Sequence, residues 1–143
     1  MKARPAGELL DAIREIPLLS GCTKKELNAI AAAGKVVEHQ AGHVICHEGG
    51  TGLGMHVVLD GKVRVEIAGR TRRRMGRGAF FGEIALLDKG PRTATVISET
   101  PTTTFVLPQW AFRSLVKAQP TLAFKLLEEL ASRVRSSESS LSH

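Results

Sequence analysis

The chain has two cysteines, Cys22 and Cys46, and they form no CxxC spacing. That is too few for a disulfide framework, so both read as small apolar residues of a protein kept in a reducing compartment. No run of 18 apolar residues occurs, and the basic start Met1-Lys2-Ala3-Arg4 leads to Glu8 and Asp11 instead of an apolar stretch. Neither a membrane span nor a secretion signal is therefore expected, and a cytoplasmic location is. The phosphate-loop pattern GxxxxGK followed by Ser or Thr is missing, and no acidic cluster stands ready for Mg²⁺, which argues against a triphosphate site. HExxH, a nucleophile elbow and paired carboxylates in one pocket segment are missing too, so neither catalysis nor a cofactor is expected.

What remains is 143 residues, enough for one domain that buries roughly two-thirds of its unfolded surface. Fourteen glycines, six prolines and short Val/Thr/Ile runs predict a mainly β core, with helical periodicity at both ends. A formal net charge of +6 raises nucleic acid or acidic surfaces as partners. Most of that excess lies in Arg70, Arg72, Arg73, Arg74 and Arg77. The block has no interleaved aromatics for base stacking and falls where a hairpin loop is expected, so a solvated loop is the preferred reading.

In chain order, Leu9, Ile13 and Ile16 recur at helical spacing until Pro17 stops the helix. Thr23 with Glu26 three residues on is a capping-box pattern, Leu27, Ile30 and Ala31 give the second helix its apolar face, and Gly34 ends it. Strands are predicted at Val36–Glu38, Val44–Cys46, Met55–Leu59, Val63–Ile67, Arg72–Met75, Thr95–Ser98 and Thr103–Val106, with a hairpin turn at Asp60-Gly61. After Pro108 a helix over Gln109–Lys117 offers Trp110, Phe112 and Leu115 to the sheets. A last helix over Thr121–Arg135 carries Leu127, Leu130 and Val134 as a seam that either docks on the sheets or pairs with a second chain. Ser136–Ser140 is expected to fray. The expected domain is residues 1–135, with the β core over 35–107, helices over 108–135 and a flexible polar tail over 136–143.

The candidate site is the stretch from Phe80 to Val96. Gly82 lets a strand break and lets backbone approach a ligand closely, and the turn from Glu83 to Leu87 points free N–H groups at an anion. Arg92, on a loop stiffened by Pro91, supplies a fixed fork of donors for two phosphate oxygens. A carboxylate at Glu83 is tolerable beside that phosphate only if it faces hydrogen-bond donors, and a sugar hydroxyl is one. A ligand with one singly charged phosphate and a ribose 2′-OH satisfies all three features.

Phe81-Gly82-Glu83-Ile84-Ala85-Leu86-Leu87 followed by Pro91-Arg92-Thr93-Ala94-Thr95-Val96 resembles the phosphate-binding cassette of cyclic nucleotide-binding domains. Such domains occur in cyclic-nucleotide-dependent kinases, gated channels and catabolite-activator-type regulators. The resemblance extends over residues about 16 to 135, through turns at Gly42, Gly49, Gly61 and Gly78. It implies a double-stranded β-helix (a jelly-roll-like β-roll) with N-terminal helices, a short cassette helix and two C-terminal helices. It also implies that Arg92 holds the cyclic phosphate and Glu83 the ribose, with Gly82, Ile84, Ala85, Thr93 and Ala94 lining the cassette. Cyclic AMP stands slightly ahead of cyclic GMP, since Thr93 is only a weak pointer to guanine.

On this reading the domain is a non-catalytic sensor in signal transduction, with the last helix as lid and Arg133 and Arg135 reaching over the base. An effector protein is implied but not identified, and a homodimer through the last helix is a further possibility. No helix-turn-helix follows the last helix, so direct DNA binding is not expected. The alternative is a β-roll interaction module without nucleotide that works through the C-terminal helix or the Arg70–Arg77 loop. His39, His43 and His47, four residues apart, with His56 beyond, raise a metal-binding barrel, but they lie in extended chain without a matching carboxylate pattern, and no metal is expected.

Overall fold

The computed structural model describes residues 6–16, 19–50, 54–82, 86–87 and 92–141. Among these residues helix α1 (Ala6–Arg14) and helix α2 (Lys24–Ala33) precede eight strands, and helices α3 (Gln109–Ala118) and α4 (Pro120–Leu141) follow them. The strands are β1 (Lys35–His39), β2 (Val44–Cys46), β3 (Gly54–Asp60), β4 (Val63–Ile67), β5 (Arg70–Met75), β6 (Phe80–Phe81), β7 (Thr95–Ser98) and β8 (Thr102–Pro108). They form two four-stranded antiparallel sheets, β1-β8-β3-β6 and β2-β7-β4-β5. This is the roll expected from the cassette, mainly β with flanking helices.

Strand β3 is central because both its faces are covered. Met55, Val57 and Leu59 join Phe105, Leu107, Ile13, Ile30, Phe112 and Leu122 in a core between the first sheet and the helices. Val58 turns the other way, onto Cys46, Val63 and Val96 between the sheets. The alternation of inward and outward residues along a strand makes this division automatic.

The capping box at α2 forms as expected: Glu26 N–H donates to Thr23 Oγ1 at 3.2 Å, and Thr23 N–H to Glu26 Oε1 at 2.8 Å. That same Oε1 accepts from Lys125 Nζ of α4 at 2.5 Å. The Lys125 hydrogen bond, reinforced by the Thr23 N–H, holds the buried Glu26 carboxyl below its usual range. One ion pair thus ties α4 to α2.

Several expectations need correction. Asp60-Gly61 is no hairpin: β3 pairs with β8 and β6, and β4 with β7 and β5, so the turn carries the chain between sheets. Gly34 ends α2 without the left-handed cap, at φ −104°. Glycine is needed there because a Cβ would overlap the fully buried Phe105 ring and sit 2.5 Å from Val106 O. Trp110 does not pack on the sheets and is 73% exposed. On α4 the packing residues are Leu122 and Leu126; Leu127 and Val134 of the expected seam are exposed and Leu130 is half-buried, which departs from the docking alternative and not from pairing with a second chain. The helix runs past Arg135 to Leu141.

Most of the arginine block is not the expected hairpin loop: the strand expected over Arg72–Met75 forms and begins at Arg70, and only Arg77 lies in a turn. The β4–β5 hairpin turns at Ala68 and Gly69, with φ of +53° and +77°, and Arg70–Met75 is a strand at the end of the second sheet. Among the described residues the roll therefore has a sheet edge at β5. Pro17, the short cassette helix beyond Leu86–Leu87, and the Arg133 side chain lie outside the described residues.

Candidate functional site

Two distant parts of the chain meet at Arg92. Its backbone N–H donates to Gly50 O at 2.9 Å and its carbonyl accepts from Gly49 N–H at 2.7 Å, which fixes the residue shortly before β7. The half-buried side chain crosses to the first sheet, where Nη2 donates to the carbonyl of Gly54, the first residue of β3, at 2.5 Å. Gly82, directly after β6, lies against the same guanidinium. Its φ is +78°, and a Cβ there would overlap Arg92 Nη1 and sit 2.7 Å from Gly54 O. Only glycine meets both demands, a left-handed backbone and no side chain.

The sequence reading thus placed Gly82 and Arg92 in one site, and the fold brings them into contact. Thr93 and Ala94 continue from Arg92 toward β7, the first exposed and the second half-buried. Glu83, Ile84 and Ala85 lie outside the described residues. What the sequence reading missed is the β3 side of the site: Gly54, whose carbonyl orients the arginine, and His56 two residues on. The one signal was the pair Gly52 and Gly54 just ahead of an apolar strand.

His56 stacks on Phe81, with ring centroids 4.8 Å apart and planes 8° from parallel. Its Nδ1 is buried and makes no hydrogen bond among the described residues. Burial first, then the positive charge of Arg92 and of His39, pushes its pKa down to about 3, so the ring is neutral at pH 7. Unfolded, the ring takes up a proton near pH 6.5; folded, only near 3. Its contribution to stability is present above pH 6.5 and declines as the pH falls between those values. Wild type should lose about 2–3 kcal/mol between pH 7 and pH 4.5 that His56→Phe keeps. Urea melts of the two proteins at both pH values test this, and parallel losses would contradict it. The shared Glu26 contribution, also lost in acid, cancels in the difference.

Cys46 also sits between the sheets near the arginine, where burial raises its thiol pKa and outweighs the lowering by the Arg92 charge. The site is thus a fixed cation beside neutral, apolar walls. In such a setting a guanidinium interacts with an anion more strongly than in water. His39 and His43 stack on each other at 5.2 Å, and His39 Nε2 lies 3.0 Å from Thr104 Oγ1. Among the described residues no group of three His, Cys, Asp or Glu side chains is placed to hold a metal ion. None of their helices is long and apolar enough to cross a membrane.

Comparison with known proteins gives the same direction. The chain is 31% identical over 124 residues to the CRP-like cAMP-activated global transcriptional regulator of Mycobacterium tuberculosis, covering 81% of this chain and 55% of that one. It is 33% identical over 106 residues to the cAMP-dependent protein kinase regulatory subunit of Pyricularia oryzae, covering 73% and 27%. The chain therefore spans little more than half, or about a quarter, of these relatives. Among solved structures, the N-terminal domain of a transcriptional regulator from Streptomyces coelicolor A3(2) superposes with a TM-score of 0.84 at 28% identity, covering 91% of this chain and 94% of that one. The cyclic nucleotide-binding domain family matches residues 36–119, more than half of the chain, from the second residue of β1 through the end of α3. With Arg92 set against Gly82 at the centre of that span, the chain belongs to the cyclic nucleotide-binding domain family.

Proposed function

We propose that the chain binds a 3′,5′-cyclic mononucleotide as a non-catalytic cytoplasmic sensor, cyclic AMP slightly ahead of cyclic GMP, with Arg92 on the cyclic phosphate and Glu83 on the ribose 2′-OH. Gly82, Ile84, Ala85, Thr93 and Ala94 line the cassette. The observation that carries this reading is the Arg92 guanidinium, fixed by the Gly54 carbonyl against a glycine that admits no side chain. A phosphate there meets an oriented donor fork with little ordering left to do.

The signal leaves through α4, which acts as the lid. In the present position α4 is held by the buried Leu122 and Leu126 and by the Lys125–Glu26 pair. An open groove of about 380 Å³ runs between the Leu86–Leu87 turn, α3 and α4, lined by Phe112, Val116, Leu126 and Leu130 among others, while Leu86 itself is buried in the core with Phe112 and Leu126. A ligand that contacts the turn shifts its packing on these helices only by its differential affinity for the two arrangements. Phe124, Leu127 and Val134 are 64%, 63% and 58% exposed, on one stripe of α4 of the kind a second copy covers in a homodimer. An effector protein receives the signal by contact.

Glu83→Ala tests the assignment. The variant should lose affinity for cyclic AMP by roughly tenfold or more, the value of one charged hydrogen bond, while 2′-deoxy cyclic AMP, already without the hydroxyl, should lose far less. Equal losses for the two ligands, measured by calorimetry, would remove Glu83 from the ribose.

A further inference from the structure

Strand β5 is the end strand of its sheet, and among the described residues it pairs only with β4. All five of its residues from Arg70 to Arg74 are exposed. Without Arg70, Arg72, Arg73, Arg74 and the nearby Arg77, the formal net charge of the whole chain would fall from +6 to +1. The carboxylates of this sheet are already engaged. Glu66 accepts from Arg64 Nε at 2.7 Å, and both oxygens of Glu99 accept from Arg74 Nε at 3.1 Å. At the hairpin tip, Glu48 accepts from the Ala68 N–H. Arg70, Arg72 and Arg73 make no ion pair among the described residues.

We propose that this free edge docks an acidic, extended segment of a partner protein, which adds to the sheet as a further strand beside β5. An edge strand presents a row of backbone N–H and C=O groups that only another extended backbone can match residue for residue. Its arginines then choose the partner. They repel the β5 edge of a second copy and attract a chain with carboxylates on both its faces, and every one is Arg, whose planar fork binds a carboxylate through two hydrogen bonds.

The arginines also divide between the faces of the sheet. Arg74 stands opposite the outward Arg64, and Arg73 opposite Val65, which packs toward the inter-sheet core. A strand lying alongside β5 sends alternate side chains to both faces and meets both sets. A nucleic acid backbone laid on the sheet meets one, and the strand has no aromatic side chain on which a base could stack.

The probe is a fluorescein-labelled ten-residue peptide of Glu, Val and Thr with Glu at both odd and even positions, so that an extended strand presents carboxylates on both faces. Controls are the same peptide with Lys for Glu, a peptide of equal charge with Pro at every third position, and a labelled 20-base-pair DNA duplex. Anisotropy at about 50 mM salt should show saturable binding of the Glu peptide, at least tenfold tighter than the Lys and Pro peptides and tighter than the duplex. The double variant R72E/R73E, at exposed positions, should lose at least tenfold while keeping the melting temperature and cyclic nucleotide affinity of wild type. No preference for the Glu peptide over the Lys peptide overturns the proposal. Equal binding of the Pro peptide overturns strand addition, and tighter binding of the duplex assigns the edge to nucleic acid instead. Should R72E/R73E melt early, the peptide titration of wild type with its three controls decides alone.

Discussion

Arg92→Ala should weaken cyclic AMP binding by about 2–4 kcal/mol, or roughly 30- to 1,000-fold in dissociation constant. The side chain reaches the site from the loop before β7 and is oriented by a backbone carbonyl of the opposite sheet. Its removal deletes the cation and leaves nothing among the described residues placed to replace it. Arg92→Lys should recover little, because an ammonium cannot donate to Gly54 O and to two phosphate oxygens with the same planar fork. Stability should change less than affinity. The backbone bridge from Arg92 to Gly49 and Gly50 does not depend on the side chain, so the variant should fold. Unchanged calorimetric affinity with an intact fold would remove Arg92 from the phosphate.

Gly82→Ala should damage the same site from the other side. A left-handed alanine costs about 1–2 kcal/mol of stability before any contact is considered. The added Cβ also collides with the guanidinium and crowds Gly54 O. The arginine end can swing away, but the β3 carbonyl cannot, so the collision resolves by moving Arg92 off its position. Cyclic nucleotide affinity should then fall nearly as far as in Arg92→Ala. The two losses should not add: in an Arg92→Ala background, Gly82→Ala should cost at least about 1 kcal/mol less binding than it does alone, the signature of residues that act through one contact. Simple additivity would mean that Gly82 serves the ligand independently of Arg92. The accompanying loss of stability, read from urea melts, should persist in both backgrounds, because the backbone strain does not involve the arginine.

How much of this was visible in the sequence follows from distance along the chain. Gly82, Arg92 and the residues between them lie within eleven positions, and their conformational demands are local, so the cassette could be read directly. The capping box at Thr23 and Glu26 was legible for the same reason. Strand pairing was not. Asp60-Gly61 has the composition of a hairpin turn, yet β3 takes its partner β8 from more than forty residues away, and nothing local distinguishes a turn within a sheet from one between sheets. Gly34 illustrates the same limit: a helix-ending glycine was expected on local grounds, but its cause is the Phe105 ring, about seventy positions later. Leu127 and Val134 share the period of buried residues and are exposed, because periodicity gives a stripe without saying which side the sheet lies on. His56 was noticed only as one of several histidines. Its place beside Phe81 and near Arg92 depends on the pairing of β3 with β6, a long-range fact.

The central claim, a single cyclic phosphate held by Arg92, is tested most directly by titrating the unaltered chain with cyclic AMP in a calorimeter, with 5′-AMP as the control. The expected result is saturable binding at one site per chain, weakened at least tenfold for the open-chain phosphate and only mildly sensitive to salt, as suits one anion on one guanidinium. No heat of binding for cyclic AMP or cyclic GMP, or equal affinity for 5′-AMP, would contradict it.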